Sequence, residues 1–300
     1  MMYHTTVLLH EGVDALGVKP NGVYVDATFG GGGHSKLILE KLGQGQLFAF
    51  DQDPDAEQNV PSDDRFTLCK GNFRHLRNFL SANGVASVDG VLADLGVSGY
   101  QFDEASRGFS FRFDAQLDMR MNPAQQLSAK NVVNEYDEPE LKRVFWEYGE
   151  TSFGGPLAKK IIQARTEKPI NTINELLVVI QKLVPERKLK GELAKIFQAI
   201  RIEVNDEMGA LKEFLSNAAM VLKDGAPLVV ISYHSLEDRL VKHFMRAGNF
   251  QDKQDKDLYG NVNRILDPIG KVIQPSNEEI ERNPRARSAK MRLAIKRSNG

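Results

Sequence analysis

The stretch that decides the fold covers residues 25–34 and reads Val25-Asp26-Ala27-Thr28-Phe29-Gly30-Gly31-Gly32-Gly33-His34. The apolar residues Val23-Tyr24-Val25 are typical of a buried strand, and residues 35–42 are typical of a helix. Glycine allows positive φ angles and lets a ligand lie against bare backbone, and the first turn of a helix offers free N–H groups. We interpret the glycines as a ligand-binding turn; the alternative is a flexible turn without a ligand.

The next predicted strand, residues 46–50, ends at Asp51. Doubly wound α/β folds place an acid that binds ribose hydroxyls about 20 residues after the glycine turn. We predict that role for Asp51, and the alternative is a helix N-cap, because Asp53-Pro54 follow it. The dinucleotide pattern G-x-G-x-x-G is not matched, since Ser35 or Lys36 takes the place of its third glycine.

Short apolar runs alternate with helical patterns in the first hundred residues, with further segments at 65–69, 73–82 and 88–93. This alternation predicts an α/β fold with a mostly parallel sheet covered by helices. Four amphipathic helices are predicted next, at 138–150, 155–167, 172–183 and 192–201. The α/β pattern then resumes with a helix at 206–222, a strand at 226–232, a helix at 236–245, loop and edge structure at 250–277, and a strand at 290–295. We therefore predict one α/β domain from residues 1–105 and 206–300, with an inserted helical domain at 106–205.

Two of the predicted strands are followed by polar residues that are candidates for chemistry. Asp94 follows the strand at 88–93, and His234 follows the strand at 226–232. Doubly wound enzymes carry out their chemistry at the carboxyl ends of such strands. Asp94 is a candidate for contact with a cofactor or a target amine, and His234 for contact with a substrate. The alternatives are a solvated carboxylate and a structural histidine.

Basic and aromatic residues are interleaved in one internal segment, where Arg107, Arg112 and Arg120 lie among phenylalanines and methionines. A second basic segment follows Glu281, after which the chain has no acidic residue; its cations are Arg282, Arg285, Arg287, Lys290, Arg292, Lys296 and Arg297. Arginine contacts phosphate groups and aromatic rings stack on unpaired bases. These segments predict RNA binding, with Arg285 and Arg287 as candidates beside the three internal arginines; the alternative is a solvated run of charge.

The composition limits the remaining classes of function. The chain has 300 residues, a formal net charge of −1 and one cysteine, Cys69. A single thiol forms no internal disulfide and no cysteine metal site, and we expect no metal. No basic segment followed by an apolar core begins the chain, and no apolar run approaches the roughly 20 residues of a membrane span. We expect a cytoplasmic protein without a membrane partner.

These motifs, in this order, resemble those of the bacterial small-subunit ribosomal RNA (cytosine-N4)-methyltransferases, the RsmH/MraW family. The resemblance begins at His4 and continues to the C-terminus; the matching blocks are 26–35, 50–54, 94–98, 107–111, 117–121, 148–150, 197–201, 204–207, 231–239 and 283–290. It implies a Rossmann-like class I S-adenosylmethionine-dependent methyltransferase fold with an inserted helical domain for RNA recognition. It also implies N4-methylation of a cytosine in the decoding region of 16S ribosomal RNA, within the small ribosomal subunit. The cofactor residues that it implies are Gly32, Gly33, His34, Asp51, Phe73, Asp94 and Gln101.

Methyl transfer is an in-line displacement that requires an aligned acceptor nitrogen. The cytosine amine is a poor nucleophile, and a hydrogen-bond acceptor on it would favour the charge that develops. Asp94 or a backbone carbonyl of its loop, residues 94–98, is our first candidate for this acceptor, and His234 is the second. Methylation at C5 would instead need a cysteine thiolate, but Cys69 lies in a predicted strand away from the Asp94 loop. A nicotinamide-dependent oxidoreductase and a non-catalytic RNA-binding factor are the alternative functions, and a homodimer is compatible with the sequence.

Overall fold

The structure is a computed structural model that describes residues 6–254 and 264–298. The chain divides into two compact units: a first unit of Met1–Gly96 and Met208–Gly300, and a second unit of Val97–Glu207. The second unit thus begins before residue 106, where the sequence pattern put the start of the insert. The reason is that Val97 and Phe102 pack against the apolar core of the second unit.

The secondary structure of the described residues contains seven strands in one sheet. The strands are β1 (Val23–Asp26), β2 (Gln46–Asp51), β3 (Phe66–Lys70), β4 (Gly90–Asp94), β5 (Pro227–Ser232), β6 (Leu266–Ile273) and β7 (Lys290–Lys296). The α-helices are α1 (Leu9–Leu16), α2 (Gly33–Lys41), α3 (Leu76–Ala82), α4 (Gly99–Asp103), α5 (Ala129–Glu135), α6 (Glu138–Glu147), α7 (Gly154–Glu167), α8 (Ile173–Gln181), α9 (Glu186–Asn205), α10 (Glu207–Val221), α11 (Ser235–Ala247) and α12 (Asn277–Arg282).

The strand order in the sheet of the first unit is β3-β2-β1-β4-β5-β7-β6. The first five strands of that order are parallel, whereas β7 is antiparallel to both β5 and β6. This order, with a reversed strand β7 between β5 and β6, is that of the class I methyltransferase sheet. The predicted fold class is therefore confirmed. The chain order reverses between β1 and β4, and ligands bind at such a switch point in open α/β sheets.

Strands β1, β2, β4 and β5 are largely buried because helices cover both faces of the sheet, whereas the edge strand β6 is mostly exposed. Val25, Phe50 and Val91 belong to one apolar cluster, whereas Tyr24, Leu47 and Leu92 belong to another. Successive strand residues point to opposite faces, which explains why neighbours in sequence fall into different clusters. The predicted strands thus read as short, continuous apolar runs, as parallel strands do.

Helices α4, α5, α6 and α8 of the second unit begin at side-chain caps, whereas α7 and α9 have none. A capping box starts α8: the Glu175 N–H donates to Thr172 Oγ1 at 3.3 Å, and the Thr172 N–H donates to Glu175 Oε2 at 3.1 Å. The same arrangement starts α5 at Ser128 and α6 at Asp137. The short helices α4 and α5 were not predicted, because each is too short to show a clear apolar period.

One predicted segment differs in detail from the structure, and a second, the predicted loop and edge structure, agrees with its described residues. The helix predicted at 73–82 is a 3₁₀ turn, Phe73–His75, followed by α3. The segment predicted as loop and edge structure contains the edge strand β6, and residues 255–263 of it lie outside the described part. Within the described ranges, none of the helices has the length and apolar character needed to cross a membrane.

Candidate active site

Three neighbouring strands of the first unit end in aspartate at the same edge of the sheet. β1 ends at Asp26, β2 at Asp51 and β4 at Asp94. Since β1 pairs with β2 on one side and β4 on the other, the three acids lie at the switch point of the sheet. The glycine turn begins at the same edge, directly after β1.

The glycine turn depends on glycine at three of its four positions. Gly30 and Gly32 have φ angles of 49° and 76°, in the left-handed region that favours glycine. A Cβ on Gly33 would collide with the Thr6 hydroxyl, whereas a Cβ on Gly31 would meet nothing within 4 Å. The turn therefore presents bare backbone before the N-terminus of α2, as a ligand-binding turn requires.

Asp51 is held by the backbone on both of its oxygens. Its Oδ2 accepts a hydrogen bond from the Gly30 N–H, and its Oδ1 accepts one from the Asp53 N–H, both at 2.8 Å. Burial raises the pKa of Asp51 to about 6, against the effect of these two hydrogen bonds. The N-cap of the 3₁₀ turn at Pro54–Asn59 is Asp53 and not Asp51. The structure therefore does not place Asp51 in the capping role that was its alternative.

Asp94 pairs with a tyrosine that follows the next strand. The Tyr233 hydroxyl donates to Asp94 Oδ1 at 2.7 Å, and the Asp94 N–H donates to Thr28 Oγ1 at 2.6 Å. Burial raises the pKa of Asp94 to about 8, and the negative charges of nearby acids act in the same direction. A half-buried carboxyl with a raised pKa at a strand end is a candidate for proton transfer or amine recognition.

Asp26 and His34 are buried in the protein rather than presented at the turn. Asp26 is fully buried and accepts hydrogen bonds from Ser35 Oγ at 2.7 Å and from the Thr28 N–H at 3.1 Å. The His34 side chain is 3% exposed, and burial lowers its pKa, so the imidazole is neutral at pH 7. A Cβ on Gly12 of α1 would lie 3.4 Å from His34 Nε2. His34 can therefore offer a ligand its backbone N–H more readily than its ring.

His234 caps the helix that follows β5. It is the N-cap residue of α11, and its Nε2 lies 3.1 Å from Glu237 Oε1. Glu237, 2% exposed, also accepts a hydrogen bond from the Tyr233 N–H at 2.9 Å. This geometry supports the structural role that was the alternative for His234, and it leaves Asp94 as the stronger catalytic candidate.

Phe73 lies at the beginning of the 3₁₀ turn that follows β3. Its ring packs edge-on against Phe214, with centroids 5.1 Å apart, and remains partly exposed. Asn72 Nδ2 donates to Gln52 Oε1 at 3.0 Å and so joins this turn to the residue after Asp51. The ring is therefore held near the end of β2.

Gln101 belongs to the second unit, where its side chain caps α4. The Ser98 N–H donates to Gln101 Oε1 at 3.0 Å, and the Gln101 N–H donates to Ser98 Oγ at 3.2 Å. Its role toward a cofactor remains a prediction from the family resemblance.

The three internal arginines proposed for RNA binding differ in their surroundings. Arg107 Nη2 donates to the carbonyls of Arg120 and Met121, both at 3.0 Å. Arg120 forms a bidentate pair with Asp118 and also donates to two carbonyls. These two guanidinium groups hold the loop together, which the sequence pattern did not reveal.

Arg112 is exposed and lies over an aromatic ring of the second unit. Its guanidinium carbon is 5.1 Å from the centroid of Phe102, and Nη2 pairs with Asp103 at 3.3 Å. Trp146, on α6, is 76% exposed and was not singled out from the sequence. A lone tryptophan in a helical pattern is usually core, so only the structure reveals this exposed ring.

Arg285 and Arg287 lie on the 3₁₀ turn Pro284–Ser288 of the first unit, and both are exposed. Ala286 between them is fully buried and anchors the turn, and Asn283 Oδ1 accepts from the Arg285 N–H at 3.2 Å. Both side chains are thus presented at the surface by an anchored turn.

Sequence reasoning missed the partners of Asp94. Tyr233 directly follows β5 and Glu237 lies in the first turn of α11, but 139 residues separate Tyr233 from Asp94 in the chain. The signal that could have found them is the pairing of β4 with β5, which brings both strand ends to one edge.

Comparisons with known proteins find matches that extend over nearly the whole chain. The family model described as the MraW methylase family matches residues 1–297. A Flavobacterium johnsoniae protein named ribosomal RNA small subunit methyltransferase H is 55% identical over 297 residues, which are 99% of this chain and 98% of the relative. A Phocaeicola vulgatus protein of the same name is 54% identical over 298 residues, with 99% and 98% covered. A crystal structure of an rRNA methylase from Streptococcus thermophilus has a TM-score of 0.45 and 11% identity, covering 99% of each chain.

Proposed function

The chain belongs to the MraW methylase family, and on that premise we propose that it methylates N4 of a cytosine in the decoding region of 16S ribosomal RNA. Family membership and the class I sheet identify a methyltransferase that uses S-adenosylmethionine and acts on small-subunit ribosomal RNA. The observation that carries the finer proposal is the half-buried Asp94 carboxyl, at the switch point beside the glycine turn, with a pKa that burial raises.

The residues at the switch point fit the cofactor. Bound S-adenosylmethionine supplies an electrophilic methyl group on a positively charged sulfur. Asp51, fixed by two backbone N–H groups, is suited to accept hydrogen bonds from ribose hydroxyls. The turn through Gly32, Gly33 and His34 offers bare backbone, since the open position at Gly31 leaves space beside it. We propose Phe73 as the ring beside the adenine, with Asp94 facing the reacting end.

Asp94 is the group that we propose to contact the target amine. A carboxylate that accepts a hydrogen bond from the amine stabilises the positive charge that develops on nitrogen during methyl transfer. Its burial strengthens this interaction because the surroundings screen charge weakly.

C5 methylation of a pyrimidine is disfavoured by the position of the thiol. Cys69 lies in β3, which is separated from β4 by β2 and β1 in the sheet. Burial raises the pKa of Cys69 to about 11, which suppresses the thiolate that ring attack would require. An amine as the methyl acceptor needs no such nucleophile. Membership in a methylase family also removes the nicotinamide-dependent oxidoreductase from consideration.

RNA contact is proposed for exposed groups on each unit. Arg285 and Arg287 of the first unit can contact phosphates, and Arg112 and Trp146 of the second can contact phosphate or stack on a base. The helical second unit is thus our proposed RNA-recognition domain. The target base has to be unpaired or flipped, since in-line approach to its amine is blocked within a stacked helix.

The test is methyl transfer to small ribosomal subunits that lack the modification, with S-adenosylmethionine labelled in its methyl group. We expect label in 16S ribosomal RNA, and nucleoside analysis should identify N4-methylcytidine at a decoding-region position. A Cys69→Ala variant should remain active and serves as the control for the C5 alternative. Any other labelled nucleoside would refute the N4 assignment, and the absence of label would favour the non-catalytic RNA-binding factor.

A further inference from the structure

Tyr233 stands beside the carboxyl that we assign to the reaction. We propose that Tyr233 is a positioning residue: its hydroxyl orients Asp94 through Oδ1 and favours the ionised carboxylate, so that Oδ2 takes the proton that N4 loses on methylation. This inference rests on the proposed N4-methylation. The sequence patterns predict no role for Tyr233.

Hydrogen bonds fix the backbone beside Asp94 and beside Tyr233. The Leu95 N–H donates to the Ile231 carbonyl at 2.9 Å and so continues the pairing of β4 with β5 beyond Asp94. The Asp94 N–H is bound by Thr28 Oγ1, and the Tyr233 N–H is bound by Glu237 Oε2 at 2.9 Å. The hydroxyl–carboxyl hydrogen bond of 2.7 Å therefore joins two fixed strand ends.

The hydrogen bond involves only one of the two carboxyl oxygens. Within residues 6–254 and 264–298, the Tyr233 hydroxyl is the one hydrogen-bond donor to the Asp94 side chain, and Oδ2 accepts none. Asp94 is also partly exposed. One oxygen is thus committed to orientation, and the other is free to accept an N–H from a substrate amine.

The charged groups that face Asp94 disfavour its ionised form, and the hydrogen bond from Tyr233 acts against them. They are Asp26 from β1, Glu237 from α11 and Glu279 from α12, and all three are acidic. Burial first, and then these acids, raise the pKa of Asp94, whereas the hydrogen bond from Tyr233 lowers it. The burial and the acids favour the neutral carboxyl, which cannot accept a proton, and Tyr233 opposes them.

The proton balance of the step follows from these groups. The N4 lone pair forms the bond to the methyl carbon while the bond from sulfur to that carbon breaks, and its electron pair stays on sulfur. The methylated nitrogen is then positively charged, and it loses a proton to Asp94 Oδ2. From there the proton passes to solvent. Methyl transfer should therefore decline at pH values where Asp94 is already protonated.

The experiment compares Tyr233→Phe with the wild-type full-length protein in single-turnover methylation of small subunits across a range of pH. The acid limb of the rate profile should move up by about one pH unit, because the variant loses a hydrogen bond to the charged form. The rate should fall roughly tenfold near neutral pH and recover at alkaline pH, while KM for S-adenosylmethionine stays within about twofold.

Tyr136→Phe is the matched control, because the Tyr136 hydroxyl donates to Glu203 Oε1 at 2.9 Å within the second unit. It removes the same kind of hydrogen bond and should keep the wild-type pH profile. Thermal melting of both variants sets an assay temperature at which each is folded. A Tyr233→Phe profile with the wild-type acid limb, whether or not the rate is uniformly lower, overturns the positioning role.

The outcome is separable from the proposed function. Nucleoside analysis of the wild-type product alone decides whether the acceptor is N4 of cytosine. If it is N4 and the acid limb of Tyr233→Phe does not move, only the role of Tyr233 is refuted. If the product is a different nucleoside, the proposed function fails, and the role of Tyr233 in amine deprotonation fails with it.

Discussion

Asp51 Oδ2 accepts a hydrogen bond from the Gly30 N–H at 2.8 Å, and this contact ties the end of β2 to the glycine turn after β1. The proposed ribose-binding carboxylate therefore also shapes the turn that we propose for the rest of the cofactor. A change at Asp51 acts on both, so its effect on cofactor binding should exceed the loss of one ribose contact.

Asp51→Asn should weaken S-adenosylmethionine binding by about 1–3 kcal/mol, which corresponds to roughly fivefold to 150-fold in Kd. An amide has a single acceptor oxygen, so its NH₂ group would face one of the two backbone N–H groups that now bind the carboxylate. Isothermal titration calorimetry measures the effect. The control is Asp64→Asn, which neutralises an exposed acid of the same unit; equal affinity for both variants would refute the role of Asp51.

Asp94→Asn should abolish methyl transfer and yet stabilise the fold near pH 8. The pKa of Asp94 is raised to about 8 in the folded protein, above its unfolded value, so the folded state binds more protons and stability falls as pH rises between these two values. A neutral amide removes this cost. The gain, on the order of 1–3 kcal/mol, should vanish below about pH 4, where the aspartate is protonated in both states.

Asp89→Asn provides the control of opposite sign for this stability measurement. Burial acts to raise the pKa of Asp89, but the Lys223 ammonium at 2.7 Å and the Val23 N–H hold it below its ordinary value. Its ionised form therefore stabilises the fold above the unfolded pKa, and that stability is lost as pH falls. Chemical denaturation across pH compares the two variants, and a destabilised Asp94→Asn near pH 8 would contradict the raised pKa.

Arg287→Ala should weaken RNA binding more than cofactor binding. An exposed arginine that contacts a phosphate contributes to the salt dependence of binding, so the slope of log K against log salt should decrease by about 1. Filter binding of 16S ribosomal RNA at several salt concentrations measures this slope. Arg77→Ala, on α3 of the same unit, is the control; identical slopes for the two variants, or equal loss of cofactor affinity, would count against an RNA surface at Arg287.

Trp146 should report RNA binding directly through its fluorescence. It is the single tryptophan of the chain and is 76% exposed, and stacking of a base on an indole ring quenches its emission. Titration with 16S ribosomal RNA should therefore lower the signal, whereas titration with S-adenosylmethionine should leave it nearly unchanged. Unchanged emission at saturating RNA would remove Trp146 from the proposed surface, and Trp146→Ala should then bind RNA as well as the wild type.

Much of the first unit could be predicted from local patterns. The strand before the glycine turn, the acid after the second strand and the candidate Asp94 each follow from residues that are close together in the chain. The capping box at Thr172 is likewise a contact over three residues. Such features depend on backbone preferences and apolar periodicity, which act over one or two turns.

The partners and exposure of the basic residues could not be predicted from such local patterns. Arg120 has its guanidinium bound by Asp118 and by carbonyls of the same loop, whereas Arg287 is exposed on an anchored turn. Both look alike in sequence, because a charge shows no partner until the chain is folded. The start of the second unit at Val97 likewise depends on which core that side chain packs against.

The sequence by itself determined the α/β fold, the glycine turn and the family of this protein, since those depend on the order of local motifs along the chain. Only the tertiary structure decided what surrounds each reactive group. Asp94 meets Tyr233 across 139 residues because β4 and β5 are neighbours in the sheet, and burial at that edge raises the pKa of the carboxyl. The physical reason is that the ionisation of a carboxyl depends on its solvation and neighbouring charges, which exist only once the strands have paired.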